Sequence, residues 1–300
     1  MKRLHIEVCP LCGGRQLDSV MTCVDHYASG ESYELRRCAS CGFLLTQDVP
    51  VEAEIGRYYE APDYISHTDT HRGVVNRLYH GVRRWLLRRK HRLVVQWTGL
   101  RNGRLLDIGA GTGYFARYMA QKGWKVDAIE KSPQARAFAK EHFGLDMMDE
   151  SALWRIPADS QDVITLWHVM EHIESLDATW DRLYDLLAEK GVLVVAVPNS
   201  ASYDAAYYGA YWGAYDVPRH LWHFSPATIQ QWGAKHGFIL AAEYPMPFDA
   251  FYVSMLSEKY MKHRLPFVRG MWRGTLAWLH ALPKKEKSSS MIYVFRKKKK

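Results

Sequence analysis

The feature that most limits what this chain can fold into is the stretch Arg104-Leu-Leu-Asp107-Ile-Gly109-Ala110-Gly111-Thr-Gly113-Tyr114-Phe115. Leu105, Leu106 and Ile108 supply the apolar run of a buried strand. The glycines let the backbone turn sharply and come within contact distance of a ligand, because no Cβ stands in the way. Residues 114–122 have helical character, so their free N–H groups face the same ligand. A glycine turn alone says little. Here the next apolar run, Trp124-Lys-Val-Asp-Ala-Ile-Glu130, ends in an acid, where a nucleotide-type fold holds ribose hydroxyls.

The rest of the chain repeats this alternation. Ser132-Pro133 reads as an N-cap followed by proline at the first helical position, and 134–143 continues as a helix. Residues 144–148 read as a short third strand and 162–167 as a fourth. A helix over 176–187 stops at Gly191, and the β-branched run 192–197 is a fifth strand. Residues 238–243 and 291–295 supply two more. Seven strands alternating with helices predict an α/β, doubly wound parallel sheet that binds ligands beyond the carboxyl ends of its strands. Ahead of it, 72–97 is helical: Val75, Leu78, Tyr79, Val82, Leu86 and Val94 recur near a 3.6 period.

Motif spacing narrows the ligand. Gly109-x-Gly111-x-Gly113 after Asp107 departs from the dinucleotide pattern and resembles motif I of the class I S-adenosylmethionine (SAM)-dependent methyltransferases. Thr165-Leu-Trp167-His168-Val-Met-Glu171-His172 is similar to the motif after strand four in the group that includes the ubiquinone-biosynthesis O-methyltransferases. Asp216-Val-Pro-Arg219-His220-Leu-Trp-His223-Phe-Ser-Pro226 resembles the motif after strand five. The resemblance covers about 70–245. It implies a Rossmann-like, seven-stranded methyltransferase sheet. It also implies a SAM site formed by Asp107, Gly109, Ala110, Gly111, Gly113, Tyr114 and Phe115, with Glu130 and Lys131 at the ribose, Asp149, Glu150 and Ser151 at the adenine, and Trp167 and His168 beside the cofactor. Methyl transfer to a hydroxyl needs a base, and histidine suits neutral pH. His168, His172 and His220 are the candidates. His168 and His172 are i,i+4 and share a helix face. His223 reads as structural. The H-x-x-E-H string has an inverted zincin spacing, but the zincin context is absent.

Two C-x-x-C pairs, Cys9/Cys12 and Cys38/Cys41, each precede a glycine that lets the chain fold back. Four thiolates suit tetrahedral Zn²⁺ in a closed, structural site. Segments between them alternate as strands do, so 1–48 reads as a zinc ribbon whose stability comes from the metal. Cys23 stands apart as a small buried residue.

The formal charge of +8 is segregated. Residues 71–95 carry eight Lys/Arg and no acid, and 259–300 carry thirteen Lys/Arg against Glu286 alone; these contribute +20, leaving the rest at −12. Such blocks commonly form solvated faces, and they also steer proteins to anionic lipid or nucleic acid. Residues 49–70 read as a linker or lid, and 71–300 as the methyltransferase domain with a helical insertion at 245–287. Two apolar stripes in the insertion, Phe248 to Tyr260 and Trp272 to Leu282, read as core or lid packing, with an interfacial helix as the rival. No run of eighteen apolar residues exists and the N-terminal residues lack a secretory h-region, so a cytoplasmic protein is expected. The functional expectation is methylation of a small-molecule, glycosyl or lipid-like acceptor, with peripheral membrane contact through the C-terminal segment. The alternatives are an RNA methyltransferase that docks through the ribbon and basic helix, and a SAM-binding regulator without turnover.

Overall fold

A computed structural model describes residues 2–59 and 74–298. Five short strands open the chain: β1 (Arg3–Leu4), β2 (Leu17–Val24), β3 (Ser32–Cys38), β4 (Leu44–Thr46) and β5 (Val49–Pro50). A 3-10 turn, Ile55–Tyr59, follows. Of the expected linker or lid, residues 60–70 lie outside the described residues. So do the side chains of Val75, Leu78 and Tyr79 in the long helix α1 (Val74–Thr98).

The large domain then runs β6 (Arg104–Ile108), α2 (Tyr114–Gln121), β7 (Lys125–Ile129), α3 (Pro133–Phe143), β8 (Gln161–Trp167), α4 (Leu176–Leu186), β9 (Leu187–Pro198), α5 (Tyr203–Tyr208), β10 (Trp222–His223), α6 (Pro226–Lys235), β11 (Phe238–Pro245), α7 (Asp249–Tyr260), α8 (Pro266–Ala281) and β12 (Ser290–Lys297). Ser132 accepts from the Ala135 N–H with Pro133 behind it, so α3 begins as the sequence predicts.

The main sheet has six strands in the order β11-β12-β9-β8-β6-β7. Pairs β6–β7, β6–β8 and β8–β9 are parallel, and β12 runs antiparallel between β9 and β11. The expected seventh strand is not formed: over 144–148, only Met148 makes a single parallel bridge, to Ile129. The helix expected to stop at Gly191 ends at Leu186, and the chain passes directly into β9. Strand β9 is buried almost throughout its Val192–Val197 run, as a central strand covered on both faces must be.

The cysteine-bearing segment packs into the same body. Its four-stranded sheet, β10-β4-β3-β2, takes its first strand from the large domain, with Trp222 opposite Leu45 and His223 opposite Leu44. Leu11, Phe43 and Leu45 share one buried cluster with Trp180, Phe224 and Trp232. Burial against this larger core supplies apolar stabilisation that so short a segment could not assemble alone.

Candidate active site

The chain order reverses between β6 and β8, which places a crevice beyond their carboxyl ends. The glycine turn lies there. Gly109 has φ +68, and a Cβ on it would come 2.3 Å from Val169 Cγ2, so both backbone and space demand glycine. Gly111 has φ +56 and nothing within 4 Å of its Cβ position. The loop is therefore braced on one side and open on the other, as a cradle for a ligand requires. The buried side chain of Phe115 packs edge-on to Trp167 at 5.6 Å, and Tyr114 meets Phe143 edge to face at 4.9 Å.

Glu130 stands at the tip of β7. Its Oε2 accepts from the Gly111 N–H at 2.7 Å and its Oε1 from the Ser132 N–H at 2.8 Å. Two of roughly four carboxylate lone-pair sites are thus engaged, and the acid is held at the mouth of the glycine loop. Lys131 reaches Glu52 at 2.8 Å and Glu150 at 3.7 Å, tying the N-terminal segment to this rim. Asp149 is spent locally: its side chain caps a 3-10 turn by accepting from the Ser151 N–H.

Asp107 is buried, and its Oδ1 accepts from the Thr165 hydroxyl at 2.6 Å. Burial drives its carboxyl up to about 7, against the Thr165 bond and the charge of Lys90. Lys90 is a site residue that the sequence reading passed over. Its Nζ lies 4.0 Å from the centroid of the Trp167 ring. Burial lowers its ammonium to about 8, although Asp107 and Asp249 both favour the charge. Leu86, Lys90 and Val94 are spaced i, i+4, i+8, so its place on the apolar face of α1 was the available signal.

The histidines gather on the other side of the crevice. His168 and His172 do not share a helix face: His168 has φ +58, and only a 3-10 turn, Met170–His172, follows it. His168 Nε2 lies 3.1 Å from Asp249 Oδ2 and its Nδ1 lies 3.4 Å from Glu171 Oε1. Burial opposes its charge, but the two carboxylates outweigh burial and raise its pKa to about 10. His168 is therefore a held cation rather than a ready base.

His172 has the opposite setting. Burial and neighbouring His220 lower it to about 4. Its Nδ1 lies 3.0 Å from the Arg219 carbonyl and 3.0 Å from the Tyr59 hydroxyl. His220 places Nδ1 2.9 Å from the Ala214 carbonyl, and the two rings meet edge to face at 4.5 Å. Donating Nδ1–H to a carbonyl leaves Nε2 unprotonated in each ring, a tautomer assigned from these contacts. Glu171 lies beside them, fully buried; its Oε1 is 3.4 Å from His168 Nδ1, an ion pair looser than a normal hydrogen bond, and its Oε2 has no hydrogen-bond partner among the described residues. Burial alone would raise its pKa, but the surrounding histidines hold it below the usual carboxylate range. Glu171, His172 and His220 each bring a ligand atom within 4.8 Å of the others, an arrangement that a divalent cation can also use.

The loop carrying His220 is fixed by the N-terminal segment. Thr46 donates its hydroxyl to the His220 carbonyl and contacts His223 Nε2, both at 2.8 Å, and burial holds His223 neutral. Arg219 is buried. It donates to Asp216 at 2.6 and 3.0 Å, to Asp25 at 3.0 Å and to the Tyr58 carbonyl at 3.0 Å. Asp216 and Arg219 are thus paired with each other and do not present themselves to an acceptor.

The two cysteine knuckles converge. Cys9 and Cys41 Sγ lie 3.6 Å apart, Cys12 and Cys38 Sγ 3.5 Å apart, and all four lie within 4.8 Å of one another. A tetrahedron of sulfurs about 2.3 Å from a zinc ion has edges of about 3.8 Å. The quartet fits such an ion closely. Cys23 is buried elsewhere, as expected.

This crevice, with its glycine cradle and acidic rim, defines a Rossmann-like ligand-binding enzyme fold. The family model described as "Methyltransferase domain" matches residues 79–243, more than half of the chain, and the chain belongs to that family. Among curated relatives, it is 35% identical over 101 residues to the mitochondrial ubiquinone biosynthesis O-methyltransferase of Schizosaccharomyces pombe. It is 33% identical over 94 residues to the malonyl-[acyl-carrier protein] O-methyltransferase of Pectobacterium atrosepticum. Each alignment takes in 31% of this chain and spans 37% of the relative's length. A solved SAM-dependent methyltransferase from Archaeoglobus fulgidus is similar at 17% identity and a TM-score of 0.49, over 72% of this chain and 94% of that one.

Proposed function

We propose that this chain is a SAM-dependent methyltransferase that methylates an oxygen of a small acceptor with an apolar portion. The family match supports the class of reaction. Three parts are read here: a zinc ribbon over 1–48, a connecting segment over 49–70, and a catalytic domain over 71–300. SAM supplies an already activated methyl group on a sulfonium, so the protein's task is alignment and proton removal.

In this reading Gly109, Ala110, Gly111 and Gly113 form the cradle. Glu130 meets the ribose with its remaining lone pairs. Phe115 and Trp167 wall the site, Tyr114 braces its helix, and Asp149, Glu150, Ser151 and Lys131 form the adenine rim. Lys90 provides a cation for the donor's carboxylate.

The observation that carries the oxygen-directed reading is Glu171. A buried, ionised carboxylate held only by a loose ion pair to His168 is costly to maintain. Beside it stand the His172 and His220 rings, each with Nδ1 engaged by a carbonyl. A hydroxyl proton accepted at Nε2 of His220 or His172 sets a second positive charge beside Glu171, in addition to His168. Glu171 thereby lowers the cost of forming the imidazolium, while His168, already charged, stays outside the proton transfer. The apolar side of the acceptor has a place too. A cavity of about 170 Å³ between α1 and the β11–α7 connection is lined by Leu86, Leu93, Met246, Phe248 and Ile292, with Lys90 and Asp249 at its polar end.

The test is incubation of zinc-loaded protein with radiolabelled SAM and fractionated small-molecule, lipid and RNA pools. Label in an alkali-stable, oxygen-linked methyl of a small or lipid-like product is expected. His220→Asn should then cost roughly 10²–10⁴ in kcat with SAM affinity retained. Label in RNA, or a kcat unchanged in both His220→Asn and His172→Asn, would refute the reading. The RNA alternative keeps fewer cations on α1 than the charge count suggests: Arg83 lies over the Tyr114 ring, Arg89 donates to the Pro245 carbonyl and Lys90 turns to Trp167, while Arg84, Arg88 and Arg92 stay exposed. A second reading, a divalent cation on Glu171, His172 and His220, predicts activity lost on mild chelation and restored by added Mg²⁺ or Mn²⁺ while the cysteine zinc remains bound.

For Cys9, Cys12, Cys38 and Cys41 the proposed ion is structural Zn²⁺. One zinc per chain, released by a thiol-reactive mercurial together with a fall in melting temperature, is the expected result. Zinc-free protein of unchanged stability would count against it.

A further inference from the structure

Helix α8 buries its small residues and exposes its large ones. The face on α7 consists of Gly270, Gly274, Ala277 and Ala281. A Cβ on Gly270 would come 2.5 Å from Met255 Cα, and one on Gly274 2.7 Å from Phe251 Cα. The two helices therefore meet backbone to backbone, and no bulky side chain fits between them. Large apolar residues are left outside. Leu265, Phe267 and Trp272 are each more than 60% exposed, and Val268, Leu279 and Leu282 are exposed with them. Positions 265, 268, 272, 279 and 282 are separated by three, four, seven and three residues, spacings that keep them along one stripe. A water-facing helix normally has the reverse arrangement.

The charge around the stripe has one sign. From Lys259 to Lys285 there are seven Lys/Arg and no Asp or Glu. Arg264 and Lys284 flank the ends of the stripe and are exposed. Arg273 lies over the Tyr207 ring at 4.2 Å and Arg269 pairs with Glu258 at 2.7 Å, so these two are anchored at the sides of the helix.

We propose that α8 is a docking surface for an anionic lipid bilayer, lying in the plane of the interface. Leu265, Phe267, Val268, Trp272, Leu279 and Leu282 enter the headgroup–acyl boundary, and Arg264 and Lys284 meet lipid phosphates, while Lys285 pairs with Glu243 at 3.3 Å. Aromatic and aliphatic residues with flanking cations are what such an interface selects. A second copy of the chain is the poorer occupant, because a two-fold contact would set two strongly basic, acid-free faces against each other. The α7 end of the same hairpin carries Phe248 and Asp249, which line the apolar cavity, so docking would bring that cavity near lipid. The membrane inference stands apart from the catalytic one, because binding is read without SAM or turnover.

The experiment is flotation of the full-length, zinc-loaded protein with vesicles of phosphatidylcholine alone or mixed 3:1 with phosphatidylglycerol. Flotation with the anionic vesicles, at least 10-fold weaker with neutral ones and reduced at 0.5 M salt, is expected. Phe267→Glu/Trp272→Glu should lose binding at least 10-fold with an unchanged circular dichroism spectrum. Ile239→Glu, at an exposed apolar site on β11, should bind as the wild type does. No flotation, equal flotation of the double variant, or light scattering that shows a dimer dissolved by the double variant would each overturn the proposal.

Discussion

Arg219→Met tests how the N-terminal segment holds the acceptor loop. Arg219 is buried together with Asp25, which it bonds at 3.0 Å, and with Asp216, which it bonds twice. Removing the guanidinium leaves Asp25 fully buried beside an apolar side chain. Breaking one side of a buried ion pair costs about 3–5 kcal/mol. At about 2 °C per kcal/mol for a chain of this size, the melting temperature should fall by roughly 6–10 °C. Burial alone would raise both aspartates, but Arg219 holds each below its ordinary value. Their contribution is therefore present above about pH 4, the ordinary aspartate range, and is lost as pH falls through the lowered folded-state values. Scanning calorimetry of zinc-loaded wild type and variant should show the full gap at pH 7 and a narrower one near pH 3.5. Asp25→Asn/Arg219→Met should recover part of the loss, because the orphaned charge is gone. A gap under about 2 °C at pH 7, or one independent of pH, would refute the reasoning.

Gly109→Ala places a Cβ 2.3 Å from Val169 at φ +68. Left-handed strain of about 1–2 kcal/mol and overpacking of about 1–3 kcal/mol should appear in urea unfolding, with Val169→Ala restoring only the second part. His168, raised to about 10, contributes stability that is full below pH 6.5 and lost as pH rises through 10. Asp249→Asn should therefore destabilise the protein more at pH 7 than at pH 10.5, and its His168 ring protons should titrate nearer neutral pH in NMR spectra.

The strand, glycine turn and closing acid of the candidate site were legible in the sequence because their determinants are local. Strand, glycine turn and helix follow one another within 104–121, and Glu130 closes the next strand; each is a statement about neighbours in the chain. The cysteine pairs were legible for the same reason. What failed was non-local. Strand β10 has two residues, and its partner β4 lies 177 positions away in the chain at the His223–Thr46 contact, so no periodicity announced that the N-terminal segment braces the loop carrying His220. The i,i+4 spacing of His168 and His172 suggested one helix face, but positive φ at His168 sends the chain elsewhere. Residues 144–148 have strand-like apolar content yet make one bridge, because β7 is the last full strand at that edge. In α8 the apolar repeat was visible. Which face the neighbouring helix covers was decided by Gly270 and Gly274, whose close approach to α7 the hydrophobic pattern does not encode.

The central claim is that the glycine loop and Glu130 form a SAM site, and titration calorimetry on zinc-loaded protein tests it most directly. One SAM, or one demethylated product, should bind per chain, and Glu130→Ala should weaken that binding at least 10-fold while leaving the melting temperature of the free protein within about 2 °C. Wild-type protein that takes up neither molecule, or a Glu130→Ala variant that binds them equally well, would contradict the account.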